Sequence, residues 1–306
     1  MSILSEQTHL PTLNEPAPKV PASSLVNDIL VLIKARLTSM VLVTALVGFL
    51  FGWRGPLDWL LLFHTLFGTL LAAAGAAALN QVFESDYDAR MRRTKDRPIP
   101  THRISRDSGL FIGIVTSAVG IVYLSLTTNL LAALLAALTV GTYVLVYTPL
   151  KRVTTLNTIV GAVPGALPPV IGWAAARGDA SIESWLLFTI LFLWQMPHFL
   201  AIAWLYRDDY RRAGFRMLSS QDTECRLTGR LALLYSMGLT SVSLLPFALG
   251  LTNFWYVPVA LVTGIAFSVV AFVFALYGTE RAARRLFLMS ICYLPVTLGC
   301  LVLARA

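Results

Sequence analysis

Nine stretches of the chain are dominated by apolar residues, each near the ~20 residues a helix needs to cross a bilayer. They cover 27–53, 57–84, 108–127, 129–147, 155–176, 182–206, 227–250, 254–277 and 285–303. The third and fourth are separated only by a short turn at Thr128 and Asn129. The fifth contains GAVPGALPPVIGW (161–173), whose three prolines interrupt backbone hydrogen bonding. Such breaks are tolerated at membrane depth where they line a cavity. The pattern therefore predicts an all-α polytopic membrane protein with nine transmembrane helices around a central, lipid-accessible cavity. Residues 1–24 hold four prolines and little periodicity, and no basic region leads into a short apolar core. They read as a disordered cytoplasmic tail rather than a signal peptide, leaving 25–306 as a single transmembrane domain.

Composition agrees with the spans. Of 306 residues, 57% are hydrophobic and 13% charged, and the mean hydropathy is +0.71. Soluble domains carry roughly 25% charged residues. A secreted enzyme, a disordered hub and a soluble nucleic-acid binder are all excluded. The cysteines, Cys225, Cys292 and Cys300, show no CxxC spacing and read as small apolar filler.

Sorting charge by side changes the picture. Loops after even-numbered spans hold 18 of the 24 cations, while the opposite side has only Arg54, Arg177 and Arg305. The positive-inside rule then places the N-terminus and the basic loops in the cytoplasm and the C-terminus outside. Ten of the 16 acids lie on the same rim. Orientation does not require them there. Such a face is either a solvated surface or a place where a cation bridges carboxylates to an anion.

Four clusters sharpen that choice. NQVFESDYDARMRRTKDRPIP (80–100) closes the second span, with Asn80, Glu84 and Asp88 at i, i+4 and i+8 on one helix face. Three oxygen donors on a stripe suit a hard divalent cation, Mg²⁺ or Ca²⁺, and not zinc. Arg92, Arg93, Lys95 and Arg97 follow, and carboxylates beside arginines meet the needs of a diphosphate–metal site. A helix end followed by an ordinary basic loop is the plainer alternative. WLYRDDYRRAGFRML (204–218) closes the sixth span with Tyr206, Arg207, Asp208, Asp209, Tyr210, Arg211, Arg212 and Arg216. The two helix ends suggest a weak internal repeat framing a site, or a pair of interfacial anchors. YTPLKRVTTLNT (147–158) brings Lys151 and Arg152, either as membrane-side charges or as a grip on a leaving diphosphate. WQMPHFLAIAW (194–204) sets His198 within the sixth span, where an unpaired polar ring is costly. His198 reads as a haem-iron ligand, a base or a hydrogen-bond anchor. Lys34 and Arg36 fit snorkelling and site-lining equally well. His64 reads as structural.

These residues resemble the UbiA family of intramembrane prenyltransferases. The family pattern of an asparagine, an acid, an aspartate and a basic R-S/T-x-x-R segment is matched by Asn80, Glu84, Asp88, Met91, Arg93, Thr94 and Arg97. YTPLKR, WQ-PHF-A-AW and YRDDY-RAG resemble the branch that farnesylates haem, and the resemblance runs over roughly 33–301. Many relatives carry D-x-x-x-D where this chain has Tyr206 and Tyr210 at the ends, which puts a second tightly held metal in doubt. His102 stands where the family usually has glycine.

The resemblance implies farnesyl diphosphate and haem b as substrates, with Mg²⁺ held by Asn80, Glu84 and Asp88. Asp208 and Asp209 are further catalytic candidates. It implies that Arg93, Arg97, Lys151 and Arg207 hold phosphate oxygens, and that Arg152, Tyr206 and Tyr210 also meet substrate. Tyr147 and Trp194 would shield the allylic cation, and His198 would position the haem. Partners implied are the lipid bilayer and haem A synthase or oxidase assembly factors, with no nucleic acid. The short tail lacks an arginine-rich transit peptide, which points to a bacterial inner membrane. Two alternatives are an aromatic quinone precursor as acceptor, and a transporter with broken helices.

Overall fold

The computed structural model describes residues 24–306, so the tail expected over residues 1–23 lies outside the described residues. In chain order, a short α1 (Leu25–Leu32) precedes the spans α2 (Ala35–Gly52), α3 (Trp59–Asp88), α4 (Arg106–Thr127) and α5 (Leu130–Leu150). Next come α6 (Asn157–Arg177) and α7 (Ile182–Leu205), then two short helices, α8 (Arg207–Ala213) and α9 (Leu218–Gln221). The last spans are α10 (Arg226–Ala248), α11 (Tyr256–Tyr277) and α12 (Glu280–Leu303). Nine helices among the described residues are thus long and apolar enough to cross a membrane. Outside helices, the only strand-like pairing described is an isolated bridge between Thr252 and Arg305.

Local chemistry sets the helix ends. Ser24, Asp58, Ser105, Asn129 and Thr279 each cap a helix by accepting a backbone N–H with the side chain. Asn129 also donates to Ala174 O at 2.8 Å, which fixes the tight turn between α4 and α5 to α6. Large apolar side chains such as Leu126, Leu134, Val262 and Leu303 point outward, as a lipid-facing belt requires.

Three departures from the expected spans matter for the site. The first expected span is broken at Ile33 and Lys34, where Lys34 takes a left-handed backbone (φ 49°) between α1 and α2. Gln81 of α3 donates to Val31 O (2.6 Å), which also accepts from the Lys34 backbone N–H, and to Leu32 O (2.9 Å), and so ties the break to α3. Secondly, α3 runs on to Asp88, so the whole Asn80–Glu84–Asp88 stripe is helical. Thirdly, α5 widens into π-helical turns over Thr142–Tyr147 before its last residues. Such bulges re-aim side chains, and this one is followed directly by Thr148 and Lys151.

Small residues hold the bundle. Helix α2 crosses α6 so closely that a Cβ on Gly172 would lie 1.9 Å from Ala45 O, and one on Gly48 would lie 1.9 Å from Pro169 O. The 161–173 segment was expected to line a chamber. Two of its glycines make room for side chains: Tyr147 lies against Gly161, and Gln195 against Gly165. Its prolines divide α6 at Leu167. Gly172→Ala is expected to destabilise the bundle by about 1–3 kcal/mol, read as a lower unfolding midpoint in detergent. Gly141→Ala, with nothing within 4 Å of its Cβ, is the control expected to hold the wild-type midpoint.

Candidate active site

The stripe at the end of α3 is buried, with Asn80, Glu84 and Asp88 each at most 4% exposed. Each meets a cation from a different segment. Lys34 donates from Nζ to Asn80 Oδ1 and, at 3.4 Å, lies near the Tyr143 hydroxyl. Lys151 donates to Glu84 Oε1 at 2.7 Å. Arg97 donates from Nη1 to Asp88 Oδ2 at 2.6 Å. Asn80 Nδ2 donates to Thr148 Oγ1 (2.9 Å), and Thr148 in turn donates to Tyr143 O (2.9 Å) in the π-helical turn. The loop after α3 closes back on the helix through Thr94 Oγ1, which donates to Asp88 O.

The two lysines differ in kind. Burial is the largest influence on the Lys151 pKa and works to lower it, but the charge and hydrogen bond of Glu84, with Tyr147 and Tyr143, together outweigh it and hold the ammonium well above the ordinary lysine value. Lys34 has only a neutral amide and a phenol as partners. Burial, and then Arg97, pull it down to about 7. Arg93 donates to the Tyr210 hydroxyl (3.2 Å) and lies over the Tyr206 ring at 4.6 Å. Arg152 donates to Phe83 O and lies over Tyr87 at 4.1 Å. Among the described residues, Lys34, Arg93 and Arg152 make no ion pair with a carboxylate. Five cations thus surround two buried carboxylates. Such a site is short of an anion.

No three His, Cys, Asp or Glu side chains among the described residues gather as a metal cluster. The stripe does supply two carboxylates and one amide oxygen, a hard donor set that fits Mg²⁺. Each of those oxygens already faces a cation that a phosphate could draw away.

The structure divides the second motif. Tyr206 and Tyr210 turn toward Arg93 and the end of α3. Asp208 points outward with 65% of its side chain exposed, paired with Arg211, and Asp209 pairs with Arg212 within α8. Neither acid contacts the α3 stripe. Arg207 lies over Trp204 and reaches Glu280 at 3.4 Å at the start of α12, away from the stripe. Tyr147 is brought in, with Lys151 over its ring at 4.4 Å. His198 and Trp194 are seated elsewhere, stacked on each other (centroids 4.9 Å apart) against α12. Sequence reasoning did not single out Tyr143, Thr148 or Gln81. For Gln81 the signal was its place directly after Asn80. His102 takes φ 59°, in the left-handed region that favours glycine.

A model of the UbiA prenyltransferase family matches residues 41–292. The protoheme IX farnesyltransferase of Solibacter usitatus is 43% identical, covering 91% of this chain and 98% of that protein. That of Aquifex aeolicus is 38% identical over 91% of this chain and 95% of its own length. Among solved structures, digeranylgeranylglyceryl phosphate synthase superposes with a TM-score of 0.77 at 15% identity, covering 91% of this chain and 98% of that one. A UbiA homologue from Archaeoglobus fulgidus bound to GPP and Mg²⁺ superposes at 0.67 and 14% identity, covering 90% and 99%. These two likenesses bear on the fold.

Proposed function

The chain belongs to the UbiA prenyltransferase family, and we propose that it transfers the farnesyl group of farnesyl diphosphate to a vinyl group of haem b. Water is added in the same conversion, giving haem O for terminal oxidase maturation, and diphosphate leaves. The observation that carries the reading is the buried carboxylate stripe with five cations about it, of which Lys34, Arg93 and Arg152 lack carboxylate partners among the described residues. A soluble-side surface would not bury such charges.

The roles follow from position. Lys34, Lys151 and Arg97 release the stripe oxygens as they turn to the diphosphate, and Arg93 and Arg152 complete the anion's cradle. Asn80, Glu84 and Asp88 would hold Mg²⁺, which supplies Lewis-acid neutralisation of the leaving diphosphate. With that charge compensated, the allylic C–O bond ionises and the haem vinyl attacks C1. Tyr143 and Tyr147 lie beside Lys34 and Lys151, so their ring faces are placed to shield the C1 cation. The tyrosine pair at 206 and 210 replaces a second acidic pair with ring faces and a hydroxyl that steady Arg93. Asp208 and Asp209 then serve the fold of α8 rather than a second metal. The protein is an integral multi-pass membrane protein. A bacterial inner membrane with the stripe at the cytoplasmic rim fits the charge asymmetry, and haem A synthase or an oxidase assembly factor would receive the product.

The test is the mass of the product. Purified protein with farnesyl diphosphate, haem b and Mg²⁺ is expected to yield haem b plus one farnesyl group and one hydroxyl added across a vinyl bond, with one diphosphate and the remaining water proton released per turnover. Unchanged haem together with prenylation of an aromatic acid would transfer the reading to a quinone-type acceptor.

A further inference from the structure

His198 makes one side-chain hydrogen bond, from Nδ1 to Ser290 Oγ of α12 at 2.7 Å. Ser290 has a single hydroxyl hydrogen, and that hydrogen is already placed. Ser290 Oγ lies 2.6 Å from Phe287 O, and a carbonyl can only accept. The Nδ1···Oγ contact must therefore take its hydrogen from the imidazole. This makes His198 the Nδ1–H tautomer, with the lone pair on Nε2. Among the described residues nothing donates to Nε2, and the side chain remains partly exposed.

The surroundings decide what that lone pair is for. Trp194 stacks on the imidazole, one turn before it on α7, and its Nε1 donates to Ser290 O at 2.8 Å. Phe287 (centroids 5.1 Å apart) and Phe199 (5.7 Å) complete the wall. Ser290 is fully buried and so holds both rings, one through its backbone and one through its hydroxyl. Among the described residues no acid, amide or lysine makes a hydrogen bond to His198 that could pass a proton to or from Nε2. A general base would lack a relay here. A hydrogen-bond anchor would use Nδ1 alone. An imidazole with its second nitrogen held by a hydrogen bond and its first bare, set among aromatic faces, has the form of a metal ligand inside a site for a flat apolar ring system.

We propose that His198 ligates the iron of the acceptor haem through Nε2, with Ser290 as the positioning residue that sets the tautomer. The inference rests on the reading of haem as acceptor given above. It places the porphyrin against α7 and α12, while the diphosphate lies at the end of α3.

Full-length protein in detergent, without farnesyl diphosphate or Mg²⁺, is titrated with haem b, and the ferrous complex is examined by resonance Raman spectroscopy. The wild type is expected to show an iron–histidine stretch. His198→Ala is expected to lose it and to regain an iron–imidazole band when imidazole is added. Ser290→Ala is expected to keep the band but to bind haem about tenfold more weakly, in line with other losses of a partner behind a metal ligand. Retained binding of farnesyl diphosphate shows that each variant is folded. A band that persists in His198→Ala, or a wild type that makes farnesylated haem without ever showing the band, overturns the inference and leaves the proposed function standing. A wild type that neither binds haem nor farnesylates it overturns both.

Discussion

Replacement of Glu84 by glutamine is expected to lower haem farnesylation by about 10²–10³-fold, the scale seen when one preorganised group is removed from a charged transition state. Glu84 lies at the centre of the stripe, with Asn80 one turn before it and Asp88 one turn after. It is the acid to which Lys151 is tied at 2.7 Å. Two consequences of the change must be separated. The variant loses a metal-binding oxygen, and it also leaves Lys151 buried without its counter-charge. Stranding a buried charge costs about 3–5 kcal/mol, so the unfolding midpoint should fall together with turnover. Adding Lys151→Met removes the stranded ammonium and is expected to recover most of the lost stability. Turnover should stay low in the double variant, because neither the oxygen nor the cation has returned. A rescue of turnover along with stability would mean that Glu84 acts only through folding. A single variant that keeps turnover within threefold of wild type would falsify the assignment of Glu84 to the metal.

What was legible in the sequence, and what was not, follows from the geometry of helices. Nine apolar stretches were readable because lipid demands continuous hydrophobicity, and eight stand close to their expected bounds. The ninth, the first in the chain, hides a break. A single lysine near a helix end looks like snorkelling, and no local signal marks the left-handed backbone at Lys34. The π-helical turn was equally silent, since TYVLVY reads as an ordinary apolar run. The Asn80–Glu84–Asp88 stripe was readable because residues four apart share a helix face. The same rule explains the second motif. Tyr206 and Tyr210 are four apart and meet Arg93 together, whereas Asp208, two residues on from Tyr206, points away from it. Acids adjacent in sequence drew attention, but sidedness follows spacing. The contact of Arg207 with Glu280, 73 residues away at the start of α12, likewise has no local signal in the sequence.

Lys34→Met is expected to reduce kcat/KM for farnesyl diphosphate by about 10²-fold, within the range for removing one partner of a buried, hydrogen-bonded charge. Most of the loss should appear in the KM for the diphosphate, and haem affinity should stay within twofold, because Lys34 lies beside Asn80 and Tyr143 and not near α12. The size of the effect comes from how the ammonium is held. It has no carboxylate partner among the described residues and its amide partner is neutral; with its pKa drawn down to about 7 the amine is only partly protonated in the free protein, and an arriving anion favours the charged form and pairs with it. Its position depends on the break between α1 and α2, which Gln81 holds by two hydrogen bonds to Val31 and Leu32 carbonyls. Gln81→Met leaves the ammonium in place but frees that joint. It is expected to raise the same KM by a smaller factor, about tenfold for one to two lost hydrogen bonds. Lys34→Arg should recover only part of the loss, because a guanidinium fork does not fit where a point charge meets one amide oxygen. If Lys34→Met instead lowers kcat alone, with the diphosphate KM unchanged, the lysine acts on the ionisation step and not on binding of the leaving group.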